Sequence, residues 1–216
     1  VQKLCTRAVL LEQGALHYDG TTEECIAQYL HGAQSVPGAF SGYSVSSEKL
    51  ERQPANARIR ITDVEMFDLE QRPLERLNTN GGFTLRIHYA CDGGFARGDV
   101  AFLVSFKTHL GQELCRLSTM PVSGYTIDEL ARVGYLDLTL HSLPFVGGRY
   151  LLDLIVFRPG METILHLADV VAFEVTPTDF YHSGVSLAQN HGLVVVQHRW
   201  NHHLTQPKRP LPSPAT

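Results

Sequence analysis

The segment FTLRIHYA at residues 83–90 alternates large apolar side chains with polar ones. Successive side chains of an extended chain point to opposite faces, so Thr84, Arg86 and His88 share one face and the apolar residues share the other. This period of two predicts a half-buried β-strand.

The same alternation continues along most of the chain. Turn signals such as Asp92-Gly93-Gly94 and Gly147-Gly148 separate the runs, and only residues 127–131 resemble a helical turn. Short strands at this spacing predict an all-β fold, an antiparallel two-sheet β-sandwich of the immunoglobulin-like or jelly-roll-like kind. The other expected strands are VAFLVSFK (100–107), YLDLTL (135–140), YLLDLIVF (150–157), RIRITDVEMFDLE (58–70), VVAFEV (170–175) and LVVVQH (193–198).

Changes in composition divide the chain into four parts. Residues 1–31 read as two strands around a glycine turn and a helix that starts near Thr21, a short α/β appendage to the sandwich. Residues 32–57 are rich in Ser, Gly, Ala and Pro and are expected to form a linker. Residues 58–200 hold the sandwich, and the Pro-rich residues 201–216 are expected to be disordered.

Bulk properties exclude several classes of function. The formal net charge is −4, and the basic residues are scattered, so there is no electrostatic case for nucleic acid. No apolar run approaches the ~20 residues of a membrane span, and the start lacks a secretory signal. The sequence begins with Val1, which we interpret as a processed protein or an excised fragment.

The N-terminal segment carries the first residues of a family resemblance. The resemblance begins with Leu4-Cys5, Arg7-Ala8 and Leu11-Glu12. This segment resembles the tail of an ABC nucleotide-binding domain. The additional matches are Gly14, Gly20, Glu23-Glu24, Ile26 and Tyr29.

The rest of the chain resembles the carbohydrate-binding C-terminal domain of the ATP-binding subunit of O-antigen polysaccharide ABC exporters (Wzt-like). The order of several short pieces carries this resemblance. They are Arg60-Ile61-Thr62-Asp63-Val64, the Phe83–Tyr89 strand, Gly111, Leu143-Pro144 with Gly148 and Tyr150, Phe173-Glu174-Val175, and the Gly192 to Trp200 ending.

The resemblance implies a division of labour and a set of partners. The chain would bind a lipid-linked O-antigen polysaccharide at its chain end, in the cytoplasm at the inner face of the inner membrane. It would form a homodimer and would reach the transmembrane exporter subunit through a missing ATPase domain. No G-x-x-x-x-G-K-[ST] loop is present, so the fragment is not expected to bind or hydrolyse ATP, and no cofactor, metal or catalytic residue is expected.

Sugar binding by a sandwich requires an aromatic plane together with polar groups that hydrogen-bond hydroxyls. Polar residues at outward strand positions are therefore candidates, together with the only tryptophan and its neighbouring histidine. Each residue could also have no role in binding, because outward polar residues are usually solvated surface and a tryptophan often belongs to a core. The candidates are Arg86, His88, Ser105, Lys107, Asp137, Asp153, His198 and Trp200.

Metal binding, hydrolysis and dimerisation are the alternatives to glycan binding. His198, His202 and His203 lie close in sequence, but no local carboxylate or cysteine completes a zinc site. The sequence does not show that the carboxylates Asp137, Asp153 and Glu174 converge as in a glycosidase, and no G-x-S-x-G elbow is present. The main alternative is a dimerisation or regulatory domain without glycan contact, in which residues 192–199 exchange between chains.

Overall fold

The computed structural model describes residues 5–12, 15–22, 24–25 and 42–203. These residues form a β-rich structure with only a few short helical segments, which confirms the predicted fold class. The elements are β1 (Ala8–Glu12), β2 (Ala15–Gly20), β3 (Tyr43–Val45), α1 (Ser47–Glu51), β4 (Ile59–Phe67), β5 (Leu77–Asn78), β6 (Phe83–Cys91), β7 (Ala101–Thr108), β8 (Glu113–Ser118), β9 (Val133–Leu140), β10 (Gly148–Arg158) and β11 (Glu162–Thr176).

The N-terminal strands β1 and β2 pair as an antiparallel hairpin, as the sequence predicts. A helical turn begins after Thr21, whose hydroxyl accepts a hydrogen bond from the Glu24 amide. The Glu24 carboxylate accepts one in return from the Thr21 amide. This reciprocal arrangement is a capping box, so the expected helix start is present.

Two sheets form the sandwich. The large sheet has the strand order β3-β11-β10-β7-β8, with β5 pairing in parallel to the end of β11, and the small sheet has the order β4-β6-β9. All other pairings are antiparallel. On one side of the sandwich the edges are β8 and β9, and the chain between them crosses from one sheet to the other.

The core lies between the two sheets and contains the apolar faces that the alternation predicts. Its centre is an aromatic cluster in which Tyr150 stacks on Phe145 and Phe173, with ring centroids 4.9 and 5.6 Å apart. Phe83 and Phe106 complete this cluster against Phe173. The buried Tyr150 hydroxyl donates a hydrogen bond of 2.8 Å to the Val146 carbonyl, so its polar end is satisfied.

The segment predicted as a linker differs from expectation in its second half. Strand β3 pairs with β11, and helix α1 follows it directly. Gln53 then binds the backbone of β4, since its side chain accepts from Ile61 N–H and donates to the Ile61 carbonyl. Small residues in this stretch fit a sheet edge as well as a linker, which the composition could not distinguish. Residues 32–41 lie outside the described residues.

Three further expectations are corrected. Residues 127–131 form no helical turn; Ile127 and Leu130 pack on the core instead. Strand β8 was not predicted, because ELCRLS does not alternate regularly. The LVVVQH segment forms no full strand, only an isolated bridge between Phe145 and Val194. Of the expected disordered tail, residues 201–203 lack regular structure and the rest lies outside the described residues.

Candidate functional site

The outer surface of the small sheet carries a grid of polar and aromatic side chains. The register aligns Glu65, Arg86 and Asp137 in one row across the three strands, and places His88 opposite Tyr135 in the next. We call this surface the small-sheet face. It consists of Asp63, Glu65, Phe67, Arg86, His88, Tyr135, Asp137 and Thr139, while Thr84 of the same face is buried.

Arg86 holds the centre of the small-sheet face. Its Nε and one terminal nitrogen donate to the two oxygens of Asp137, each at 2.8 Å. The guanidinium also lies 4.3 Å from the ring centroid of Tyr135 and 4.9 Å from that of Phe67. The hydrogen bonds to Asp137 raise the pKa of Arg86, so its positive charge is fixed.

Tyr135 and His88 form the second row. His88 Nε2 lies 2.7 Å from a carboxylate oxygen of Glu65, and the His88 and Tyr135 ring centroids are 5.7 Å apart. Tyr135 nevertheless remains 57% exposed. The small-sheet face therefore combines an open aromatic ring with a cation, three carboxylates and an imidazole.

The opposite outer surface, on the large sheet, holds a different kind of charged cluster. Lys107 Nζ lies 2.6 Å from a carboxylate oxygen of Asp153 and 2.6 Å from one of Asp169. Asp153 also accepts a hydrogen bond of 2.7 Å from the Asp169 amide and lies 3.5 Å from His166 Nε2. We call these four side chains the Lys107 network.

A bulge in β11 brings the Lys107 network together. Leu152 pairs with Val171 but Leu154 pairs with Leu167, so residues 168–170 bow out opposite Asp153. Asp169 takes a positive φ of 52° there. Lys49 of helix α1 donates to the carbonyls of residues 168 and 169, which holds the bulge in place.

The charged pair of Lys107 and Asp153 is more deeply buried than that of Arg86 and Asp137. Burial raises the pKa of Asp153, but hydrogen bonds from Lys107 and the Asp169 amide outweigh it, and the pKa lies below its usual value. Burial likewise lowers the pKa of Lys107, and the bonds to both carboxylates raise it further than that. Both groups are therefore charged and paired near neutral pH.

Two predicted site residues are consequently not at the surface. Asp153 is 8% exposed and Ser105 is 1% exposed, although both point outward from their sheet. Ser105 donates to the Glu113 carboxylate at 3.1 Å, and Glu113 in turn binds Arg116. Long neighbouring side chains cover this part of the large sheet, which the alternation alone does not reveal.

The last predicted residues lie on the C-terminal segment. His198 packs against Tyr181 with ring centroids 5.0 Å apart, and Trp200 lies 5.9 Å from His198. Trp200 is 89% exposed, so it is not a core residue. The Tyr181 hydroxyl bonds the Val196 carbonyl at 2.9 Å.

An apolar groove opens between the edge strands β8 and β9. Its volume is about 600 Å³, and Leu136, Leu138 and Leu140 of β9 line one wall while Leu117 lies across from them. Tyr135 and Asp137 also border this groove, so it adjoins the small-sheet face.

Sequence reasoning selected only Arg86, His88 and Asp137 of the small-sheet face and missed Tyr135 and Glu65 among the others. Tyr135 follows the same alternation as Asp137, so its phase in YLDLTL was a usable signal. Glu65 had no such signal, because the pairing of β4 shifts between Ile61 and Asp63 and reverses the phase of the strand.

Two features of the described residues bear on metal binding and membrane insertion. Among residues 5–12, 15–22, 24–25 and 42–203, no group of three His, Cys, Asp or Glu side chains is placed to hold a metal ion. No helix within the described part of the chain is long and apolar enough to cross a membrane.

Comparisons with known proteins agree with this architecture. The crystal structure of the C-terminal domain of Wzt is similar, with a TM-score of 0.55 and 14% identity, covering 70% of this chain and 87% of that one. At this identity the similarity shows the fold. No curated protein matches the chain.

A family comparison goes further than the shared fold. The model of the Wzt C-terminal domain matches residues 51–195. This family is linked to the O-antigen transporter, as a non-ATPase domain of an ABC transporter subunit. The match spans most of the chain and coincides with the sandwich, and the protein therefore belongs to the Wzt C-terminal domain family.

Proposed function

We propose that this chain binds O-antigen polysaccharide non-covalently, through the small-sheet face, and thereby couples glycan recognition to export. The observation that carries the proposal is the exposed Tyr135 ring beside Arg86, Asp137 and His88. An aromatic face covers the C–H surface of a sugar, while flanking charged groups hydrogen-bond its hydroxyls.

The geometry of the small-sheet face favours an extended, hydroxyl-rich ligand. Its side chains lie on three paired strands, so they are held in a fixed spacing before any ligand arrives. Arg86 and Asp137 hold each other in place, and part of each side chain stays open to solvent. Preorganised donors and acceptors of this kind lose little entropy on binding.

The family supplies the setting for this role. A homodimer would serve one exporter, with each chain attached through an ATPase domain to the transmembrane subunit on the cytoplasmic side of the inner membrane. Binding would be weak, in the micromolar to millimolar range or about −8 to −4 kcal/mol, because wet ligands release little net free energy.

The test is a calorimetric titration of the chain with O-chains from its own source and from an unrelated serotype. Saturable binding of the cognate chain alone is expected. Tyr135→Ala should weaken that binding about 5-fold or more, since an aromatic platform is worth roughly 1 kcal/mol or more. Val133→Ala is the matched control, because Val133 lies two residues away on the same side of β9 and is 73% exposed.

Either of two results would refute the proposal. One is the absence of binding to both O-chains at millimolar sugar with the chain folded. The other is an unchanged affinity of the Tyr135→Ala variant, which would remove the small-sheet face from the site.

A dimerisation role is the second candidate, and the edge of β9 favours it. The pairing of β9 with β6 has no bulge over eight residues, and the strand contains neither Lys nor Pro, the usual protections of an edge. Its apolar groove could accept a strand exchanged from residues 192–199 of a second chain. Here Val195 instead donates to the Pro144 carbonyl of its own chain at 2.8 Å.

Light scattering would distinguish this role. The full chain is expected to be a dimer, and a chain that ends at residue 191 is expected to be a monomer. A truncated chain that stays dimeric would exclude exchange of this segment.

A further inference from the structure

A second cavity, of about 280 Å³, lies at one end of the sandwich. The segment before β4 forms one wall with Asn56 and Arg58, and the turn between β10 and β11 forms another with Arg158 and Glu162. Phe95 closes it from the loop after β6. At ~30 Å³ per water, this volume equals about nine water molecules, enough for one sugar ring.

The two arginines of this cavity are poorly paired. Arg158 Nε is buried without a hydrogen-bond partner among the described residues. The nearest carboxylate oxygen to its terminal nitrogen belongs to Asp99, at 3.7 Å, and an Asp99 oxygen already accepts the Ala96 amide at 2.9 Å. A buried donor without an acceptor destabilises the fold, and an acceptor supplied by a ligand would remove this cost.

The Arg58 guanidinium is positioned by stacking on an aromatic ring rather than by an ion pair with a carboxylate. Its guanidinium carbon lies 4.3 Å from the ring centroid of Phe95, and one terminal nitrogen donates to the Gly93 carbonyl at 3.1 Å. By contrast, Arg86 makes two hydrogen bonds of 2.8 Å to a carboxylate. Arg58 and Arg158 both line the cavity, and among the described residues neither guanidinium makes a hydrogen bond to a carboxylate.

Charge and donor type narrow the class of ligand. The lining contains two guanidinium groups and one carboxylate, Glu162, so it favours a ligand with one negative charge. A bare anion would leave the Glu162 carboxylate repelled and without a donor. A sugar ring that carries a carboxylate satisfies both requirements, because its hydroxyls donate to Glu162 while its carboxylate accepts from the arginines.

We infer that this cavity is a binding site for an acidic sugar unit, with the sugar carboxylate between Arg58 and Arg158 and a ring hydroxyl on Glu162. The inference rests on the proposed function, since it names the chemistry of one unit in the recognised glycan. The cavity and the small-sheet face have no lining residue in common, so the two can be tested separately.

The experiment is an NMR titration of the full chain with sodium glucuronate, glucose, acetate and inorganic phosphate as separate probes. Glucuronate is expected to saturate and to shift the backbone signals of residues 58 and 158–163. Glucose and acetate should each bind at least ~10-fold more weakly, because each satisfies only half of the site. Phosphate binding as strong as that of glucuronate would overturn the assignment to a sugar.

Two variants and a control complete the test. Arg158→Lys keeps the charge but loses the planar fork, and it should weaken glucuronate at least ~10-fold. Arg58→Gln is the second variant, because its exposed side chain can change without affecting folding. Arg60→Gln is the matched control, an exposed arginine of β4 that does not line the cavity. Unchanged glucuronate binding in both variants would overturn the inference.

The outcome is separable from that of the proposed function. If Tyr135→Ala abolishes binding of the cognate O-chain and Arg58→Gln changes neither O-chain nor glucuronate binding, the inference fails and the proposed function stands. If no O-chain binds but glucuronate binds and requires Arg158, the proposed function fails and the cavity site stands.

Discussion

The two outer surfaces of the sandwich carry charged residues with the same sequence pattern and different consequences. On the small-sheet face, Arg86 and Asp137 pair across strands and stay partly exposed. In the Lys107 network, Lys107 and Asp153 pair across strands and are largely buried. An outward polar residue on a strand is therefore free to meet a ligand only where nothing covers its sheet.

The difference arises from what surrounds each sheet. The small sheet has only three strands, and its outer side chains lie at or next to an edge. The Lys107 network lies in the middle of the large sheet, between β8, β7, β10 and the bulge in β11. Central strands are flanked by long side chains on both sides, and their outward groups must satisfy one another.

Removal of Lys107 tests this contrast most strongly. Lys107→Met leaves Asp153 and Asp169 close together without a cation, and breaking a buried pair in this way costs about 3 kcal/mol of unfolding free energy. Urea denaturation measures the loss. Arg52→Met is the control, because it breaks an exposed pair with Glu48 that contributes little. Equal losses in the two variants would show that the Lys107 network is not structural.

A pH series sharpens the same contrast. The pKa of Asp153 is lower in the folded chain than its unfolded value of about 3.9, so the charged carboxylate stabilises the fold above that pH. This contribution is lost as the pH falls through the folded pKa. The difference in unfolding free energy between the wild type and Asp153→Asn should therefore shrink from pH 7 to pH 3. A difference that stays constant over this range would contradict the assigned pKa direction.

On the small-sheet face, Arg86→Lys should weaken glycan binding and leave the stability of the fold nearly unchanged. Lysine keeps the charge but cannot form the bidentate contact to Asp137 or stack on Tyr135 as a plane. Affinity for the cognate O-chain is expected to fall ~10-fold by calorimetry, with little change in melting temperature. A large fall in melting temperature with unchanged affinity would reverse the roles of the two surfaces.

Much of the fold follows from the sequence alone. Regular alternation predicted β6, β7, β9 and β10, because a period of two is a direct consequence of strand geometry. It did not predict β8 or the order of the strands, which depend on contacts between distant segments. The linker was misjudged in its second half, because β3 and Gln53 gain their structure by pairing with β11 and β4.

The candidate site was predicted less completely. Arg86, His88 and Asp137 were selected by phase, and they lie together because the register of β6 with β9 aligns them. Ser105 and Asp153 had the same phase but are buried, which depends on neighbouring strands that a single segment does not describe. The cavity around Arg58 and Arg158 had no sequence signal, because its walls come from three separated parts of the chain: the segment before β4, the loop after β6 and the adjoining ends of β10 and β11.

The smallest expected effect is that of a Trp200 substitution, which tests whether the glycan binds the small-sheet face or the C-terminal segment. Trp200 contacts His198 but is almost fully exposed, so Trp200→Ala should change the unfolding free energy by less than about 0.5 kcal/mol. If the glycan lies on the small-sheet face, its affinity should also stay within about twofold. An exposed tryptophan is nevertheless a strong sugar platform, and a tenfold loss of affinity with normal stability would move the site to Tyr181, His198 and Trp200. Calorimetry on Tyr135→Ala and Trp200→Ala under the same conditions therefore decides which exposed aromatic group the polysaccharide uses.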